Sequence, residues 1–138
     1  MPLSLAPSEP RARLRLRSLA WALLAAAGAG GLGLAAGIEP ALRSAGCGFF
    51  LGLLSFHLQR VDPDDGHLQA GLVGAVCGLR SLGAPLPQTL PAPGDGTLAL
   101  LPAGMMELIR AWLPLWLPLA GSALLLHGAR RLLPALRP

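Results

Sequence analysis

Residues 57–67, HLQRVDPDDGH, bring two histidines and three aspartates into eleven positions of a chain with few charges. Imidazole and carboxylate ligands together would suit zinc, iron or manganese, and the candidate ligands are His57, Asp62, Asp64, Asp65 and His67. However, the histidines lack the i, i+4 spacing of a helical ligand pair. Pro63 fixes its own φ, and the following Asp-Asp-Gly favours a turn. We therefore predict a solvated turn between two helices, with a metal or proton-handling site as the alternative.

No other side chains form a recognisable catalytic or cofactor pattern. Cys47 and Cys77 are the only thiols, they do not form a CxxC pair, and the sequence leaves a disulfide between them open. There is no Ser-His-Asp spacing of diagnostic value, no phosphate-binding loop and no histidine pair suited to haem. We therefore predict a protein that is not an enzyme and that has no catalytic residue, metal or cofactor.

Three ionisable residues lie within apolar stretches, where charge is expensive and is usually paired or functional. Glu107 and Arg110 are three positions apart and can neutralise each other on a helix. Arg80 has no local partner, so it either extends to the membrane surface, pairs with Glu107, or meets an acidic residue of another protein. The pair Arg80 and Glu107 is thus the candidate intramembrane charge pair.

The composition indicates that these residues are held in a membrane. The chain of 138 residues is 53% hydrophobic and 13% charged, whereas a soluble domain carries about 25% charge. All 11 basic residues are arginines, and most of them flank apolar runs at the two ends without interleaved aromatic residues: Arg11, Arg13, Arg15, Arg17, Arg130, Arg131 and Arg137. This distribution favours a membrane-orientation signal over nucleic-acid binding.

The apolar runs predict an all-α, multi-pass membrane protein with four transmembrane helices, since a helix needs about 20 residues to cross the hydrocarbon layer. The N- and C-terminal arginines belong on the same, positive side, which requires an even number of crossings. The predicted organisation is a basic tail 1–17, a membrane domain 18–128 with spans 18–38, 41–58, 68–86 and 111–128 and an interfacial lead-in 98–109, and a basic tail 129–138. Trp112, Trp116 and His127 are expected at the interface.

Two alternatives to this organisation stay open. Spans 41–58 and 68–86 are individually weak, so the chain could cross only twice, with its middle in the interface. Residues 1–29 could instead be a cleaved secretory signal, with an Arg-rich start, an apolar centre and Ala-Gly-Ala at the cleavage site.

Small residues repeat every four positions in the first three spans. Such spacing lets helix backbones approach closely, which supplies the dispersion energy that holds helices together in lipid. The candidate packing residues are Gly33 and Gly37 in the first span, Gly48 and Gly52 in the second, and Gly74 and Gly78, preceded by Ala70, in the third. We therefore predict a bundle with glycine-lined contacts.

Residues 48–84 resemble the mitochondrial inner-membrane translocase family, which includes a complex I accessory subunit. The similarity is carried by Arg60, Asp64, Asp65, Ala70, Gly74, Arg80 and Gly83. The resemblance implies four small-residue-rich helices in the mitochondrial inner membrane and a role in assembly or protein insertion. The asparagine that usually follows the acidic pair is absent, and the Pro-rich last span does not fit the family pattern.

The sequence favours a non-catalytic subunit or assembly factor of a larger membrane complex, because short loops leave little room for an active site outside the membrane. Its expected partners are the lipid bilayer and either other membrane subunits or further copies of itself. A small oligomeric transporter or channel using Arg80 and Glu107 is the alternative. The sequence is compatible with the mitochondrial inner membrane, the endoplasmic reticulum and a bacterial inner membrane.

Overall fold

A computed structural model describes residues 10–86, Gln88 and residues 101–134, and within these parts the chain is all-α. It has four helices, α1 (Arg11–Gly33), α2 (Ile38–Val61), α3 (Gly66–Leu82) and α4 (Leu101–Leu132), with a short 3-10 helix, Leu34–Ala36, after α1. Residues 1–9, 87, 89–100 and 135–138 lie outside the described residues, and they include parts of the two predicted basic tails and the start of the predicted lead-in.

The turn between α1 and α2 depends on one glycine. Gly37 has a φ of 117°, a conformation that side-chain-bearing residues rarely adopt. The first predicted span, 18–38, therefore ends several residues early, because the chain reverses over residues 34–37. At its other end, α1 begins at Arg11, so arginines predicted to form a tail are helical.

The last helix is longer than a single predicted span. α4 contains 32 residues and is about 48 Å long at 1.5 Å per residue. The predicted lead-in and the span 111–128 form one uninterrupted helix from Leu101 onward, with Pro114 and Pro118 inside it. Each proline removes one backbone hydrogen bond, so α4 contains freed carbonyl groups within its length.

The core shows the directions of the helices. Near the loop between α2 and α3, Trp21 and Ala25 of α1 lie in a buried cluster with Phe56 and Leu126. The next cluster combines Ala29, Leu51, Val76 and Leu119. From the first cluster to the second, residue numbers rise in α1 and fall in α2 and α4. The start of α1 and the end of α4, both rich in arginine, therefore lie at the same end of the bundle.

The exterior of the bundle is apolar, unlike that of a soluble bundle, although large side chains such as Trp21 and Phe56 are also buried in its core. Small and polar residues are buried, among them Ala22, Ala25, Ala29, Ser44 and Ser122, whereas large apolar side chains are exposed along the described helices, including Leu42, Phe50, Leu79, Leu117 and Leu124. An apolar exterior of this extent is a surface for lipid or for other proteins. α1 with its 3-10 extension, α2 and α4 are each long and apolar enough to cross a membrane.

Candidate functional site

The histidine and aspartate stretch forms the turn between α2 and α3. Asp65 caps α3, and its Oδ1 atom accepts hydrogen bonds from the backbone N–H groups of His67 at 2.8 Å and Leu68 at 3.1 Å. These bonds satisfy donors that every helix N-terminus leaves free. His57 lies on α2, where its ring meets Phe56 edge to face. Over the described ranges, no three His, Cys, Asp or Glu side chains are grouped so that they could hold a metal ion.

Gly33 of α1 and Gly48 and Gly52 of α2 lie in the contact between these two helices. A Cβ atom on Gly33 would lie 2.9 Å from Cα of Ala41, and one on Gly52 would lie 2.5 Å from the carbonyl oxygen of Trp21. Gly48 is equally close to α1. Only glycine allows backbones to approach to this distance. Gly37, predicted to pack between helices, lies in the turn instead.

The glycines of α3 are placed differently. Cβ atoms on Gly71, Gly74 and Gly78 would meet no atom within 4 Å among the described residues. The buried residues of α3, Val76, Arg80 and Ser81, lie on the opposite side of the helix. The small-residue surface Ala70, Gly71, Gly74, Ala75 and Gly78, here called the α3 glycine face, is exposed. Among the described residues, one of the three glycine patterns therefore has no helix against it.

Arg80 is buried without a counter-charge. Its side chain is 7% exposed, and its Nε atom is buried and has no hydrogen-bond partner. The candidate partner Glu107 bonds instead to Arg110 at 3.1 Å, and the side chain of Glu107 is partly exposed while that of Arg110 is mostly exposed. Within the described ranges, the structure therefore does not bring Arg80 and Glu107 together as an ion pair.

A hydrogen-bonded pair fixes α3 beside α4 next to Arg80. The indole Nε1 of Trp116 donates to Oγ of Ser81 at 2.7 Å, and the same hydroxyl donates to the carbonyl oxygen of Cys77 at 3.0 Å. Trp116 was expected at the membrane interface, and its indole N–H is bonded within the bundle. Since Ser81 follows Arg80 directly, this pair sets the register of the buried arginine against α4.

Two cavities meet at Arg80. The first, of about 420 Å³, lies between α1, α2 and α4, and apart from Arg80 and Ser44 its wall is apolar, including Leu32, Pro114 and Pro118. The second, of about 400 Å³, is lined by the charged residues Glu39, Arg43 and Arg80 together with Pro85 and Ala111. We call them the apolar cavity and the charged cavity. They share Arg80, Pro40 and Leu115.

The opposite end of the bundle holds a polar cavity of about 520 Å³, lined by residues that include Gln59, Gln69, His127, Arg130 and Arg131. Gln59 is almost fully buried, and its Nε2 atom donates to Ser55 at 3.1 Å. Its Oε1 atom has no partner within the part of the chain described. Neither glutamine was singled out from the sequence, because a lone glutamine at the end of an apolar run gives no signal there.

The two thiols are close to the same core residues. Cys47 and Cys77 are free and partly exposed, and both pack against the cluster of Ala29, Leu51, Val76 and Leu119. α2 and α3 thus present their thiols toward one another in the middle of the bundle.

Comparison of the chain with protein-family models, with curated proteins and with solved structures finds no match. The likeness of residues 48–84 to the mitochondrial inner-membrane translocase family thus rests on the pattern of residues alone and stays a prediction.

Proposed function

We propose that this protein is a small integral membrane protein that acts as a non-catalytic subunit or assembly factor of a larger membrane complex. The two short connections between α1, α2 and α3 favour this function over an enzyme with an active site in those connections. Four residues, 34–37, join α1 to α2, and another four, 62–65, join α2 to α3. Such connections can carry little beyond the turns themselves.

The α3 glycine face carries the proposal. In lipid, helices associate chiefly through close van der Waals contact across small residues, because the apolar side chains gain nothing by leaving acyl chains for one another. α1 and α2 use this contact at Gly48 and Gly52. α3 offers the same surface at Gly74 and Gly78, where no described helix lies. A transmembrane helix of another subunit, or of a second copy, would bury this face.

A substitution on the α3 glycine face tests the proposal, because it should reduce the amount of partner that binds. Gly74→Leu adds a side chain where the structure has open space, so the chain should fold normally while the partner helix is kept at a distance. The measurement is the amount of partner that co-purifies in mild detergent, with mass spectrometry to identify it. We expect a loss of at least ~tenfold, which corresponds to about 1.4 kcal/mol of association free energy.

Gly46→Leu is the matched control. Gly46 is also a helical glycine with no atom within 4 Å of an added Cβ, but it lies on α2, outside the α3 glycine face. It should leave the complex intact. Retention of every co-purifying subunit by Gly74→Leu, at a normal level of folded protein, would contradict the proposed function.

The alternative, a small oligomeric transporter or channel, has less support. It was predicted from Arg80 and Glu107 acting together, and Glu107 bonds to Arg110 on its own helix. The Glu107 and Arg110 side chains are 41% and 70% exposed, as expected of a local surface pair rather than a buried relay. An abolition of flux by Arg80→Gln in reconstituted vesicles, without loss of protein, would favour the alternative.

A further inference from the structure

The guanidinium of Arg80 carries an isolated positive charge. An arginine does not lose its proton in proteins, so it cannot relieve burial by becoming neutral. A buried charge without a partner is strongly destabilising. Arg80 is 7% exposed and forms no hydrogen bond or ion pair with any residue of the described ranges, and its Nε atom is enclosed. An anion beside the guanidinium would complete this site.

The residues that line the cavities around Arg80 indicate that the ligand is more than a simple anion. On one side of the guanidinium is the apolar cavity, whose walls include Leu32, Leu117 and the two prolines of α4. On the other side is the charged cavity, which opens near the end of α3. A ligand that occupies both cavities must therefore have an acidic group joined to a hydrocarbon chain.

The charges of the second cavity agree with this requirement. Glu39 and Arg43 form an ion pair on the rim of this cavity, with 2.6 Å between Oε1 of Glu39 and Nη2 of Arg43. Both side chains are largely exposed. They neutralise each other, so Arg80 is the unbalanced charge of the cavity. A guanidinium binds phosphate or carboxylate through parallel hydrogen bonds, and such bonds are stronger where water is excluded.

We propose that the two cavities form a binding site for one anionic amphiphile. Its phosphate or carboxylate head accepts hydrogen bonds from Arg80, and its acyl chain fills the apolar cavity between α1, α2 and α4. Arg43 lies at the mouth of the charged cavity. When its ion pair with Glu39 opens, Arg43 binds the head group as a second cation. The site is separate from the α3 glycine face, so it does not rest on the proposed partner.

The position of Arg80 favours a lipid over an acidic side chain of a partner protein. Arg80 lies on the side of α3 that packs into the bundle, not on the exposed α3 glycine face. The openings beside it are about 420 Å³ and 400 Å³ and are bounded by helices that are already in contact. An acyl chain and a head group can enter such spaces one at a time, whereas a partner helix would have to separate α3 from α4.

Native mass spectrometry of the full-length protein, released from detergent, tests the site. Phosphatidylglycerol and oleate supply phosphate and carboxylate heads, phosphatidylcholine with the same acyl chains supplies a zwitterionic head, and inorganic phosphate supplies a head without a chain. We expect phosphatidylglycerol or oleate to be retained over phosphatidylcholine. Arg80→Gln should weaken retention of that lipid by about ten- to a hundredfold, the range of one or two charge-assisted hydrogen bonds.

Two further variants separate the site from general attraction to a basic protein. Arg110→Gln removes the same charge from an exposed position and should leave retention unchanged. Ala36→Phe keeps Arg80 but places a ring at the wall of the apolar cavity, so it should lower retention of the same lipid. Since Arg80→Gln removes an uncompensated buried charge, it should fold, and its melting temperature in detergent without lipid should not fall.

Three results would overturn the site. Equal retention of phosphatidylglycerol and phosphatidylcholine would remove the role of the acidic head. Displacement of lipid by millimolar inorganic phosphate would remove the role of the acyl chain. Loss of a co-purifying protein, with unchanged lipid, in Arg80→Gln would assign Arg80 to a protein contact. None of these results bears on Gly74→Leu, so the site and the proposed function can fail separately.

Discussion

Gly48 of α2 faces the backbone of α1 so closely that a Cβ atom at this position would lie 2.7 Å from the carbonyl oxygen of Ala25. One turn later, Gly52 makes the same approach to Trp21 and Ala22. The two helices touch along their backbones, and the obstacle to any larger residue is backbone, which cannot move aside as a side chain can. This contact is the most extensive one between any two helices of the bundle.

Gly48→Leu should therefore destabilise the bundle, whereas Gly46→Leu should not. Overpacking of a core costs about 1–3 kcal/mol and occasionally more, and we expect the upper end at Gly48 because Ala25 and Ala29 leave no space. Thermal unfolding in detergent, followed by the loss of the monodisperse peak in size-exclusion chromatography, measures the effect. Equal melting temperatures for the two variants would show that the α1–α2 contact is looser than the structure has it.

The glycine patterns also show how far the sequence could be interpreted. Gly48 with Gly52 and Gly74 with Gly78 have the same spacing in similar apolar runs, yet only the first pair lies against another helix. The spacing indicates that another helix can approach this face closely, but it does not indicate which helix lies there. The choice depends on how all four helices are arranged, which is not a local property of the chain.

Ser122→Ala should weaken the contact between α4 and α1. Ser122 is fully buried, and its Oγ atom donates to the carbonyl oxygen of Ala25 at 2.8 Å across the two helices. Hydrogen bonds between membrane helices contribute about 0.6 kcal/mol on average and at most about 1.7 kcal/mol. We expect Ser122→Ala to lower the free energy of unfolding by an amount within this range. Equilibrium unfolding in mixed detergent micelles measures the difference.

Ser18→Ala provides the comparison for Ser122→Ala. The Ser18 hydroxyl is also mostly buried, but it donates to the carbonyl oxygen of Arg15 within the same helix, at 2.9 Å. Removal of the Ser18 hydroxyl should change the stability less, because its hydrogen bond does not connect two helices. If the two serine variants were indistinguishable, the α1–α4 bond would contribute nothing to the fold.

Elements and turns followed from the sequence, whereas contacts between distant residues did not. The apolar runs predicted one helix at each of α1, α2, α3 and α4, but α1 begins at Arg11 rather than residue 18 and α4 at Leu101 rather than residue 111. Pro63 with Asp65 predicted the turn. Nothing local to Ser81 or Trp116 signals their hydrogen bond, since the two residues are 35 positions apart in the sequence. Likewise, the sequence marked Arg80 as costly, but the two cavities beside it arise only from the way the helices pack around it.

A short bismaleimide reagent should join Cys47 to Cys77 within one chain. Both thiols contact the cluster formed by Ala29, Leu51, Val76 and Leu119, so α2 and α3 hold them on the same side of the core. Intact-mass spectrometry should find one doubly attached linker per monomer. Cys47→Ser should yield only the singly attached, hydrolysed reagent. Dimers, or single attachment in the unsubstituted chain, would contradict the packing of α3 on α2.

The basic ends of the chain should lie on the same side of the membrane. In the core clusters α4 runs opposite to α1, so Arg17 at the start of α1 and Arg130 at the end of α4 belong to one end of the bundle. α2 also runs opposite to α1, and the chain must therefore return across the bundle between α2 and α4. α3, of 17 residues, covers about 26 Å of this path at 1.5 Å per residue, close to the hydrocarbon thickness of about 30 Å.

Protease-cleavable tags at the two termini measure this arrangement in sealed vesicles of known orientation. Both tags should be cleaved from the positive side and protected from the other side, since short arginine-rich flanks stay on that side. Cleavage of the two tags from opposite sides would mean that only α1, α2 and α4, the helices long and apolar enough to cross alone, span the membrane. α4 would then run parallel to α1, whereas the order of residues in the two core clusters places α4 opposite to α1. The sidedness of the tags thus tests the packing of the bundle and the crossing by α3 in one measurement.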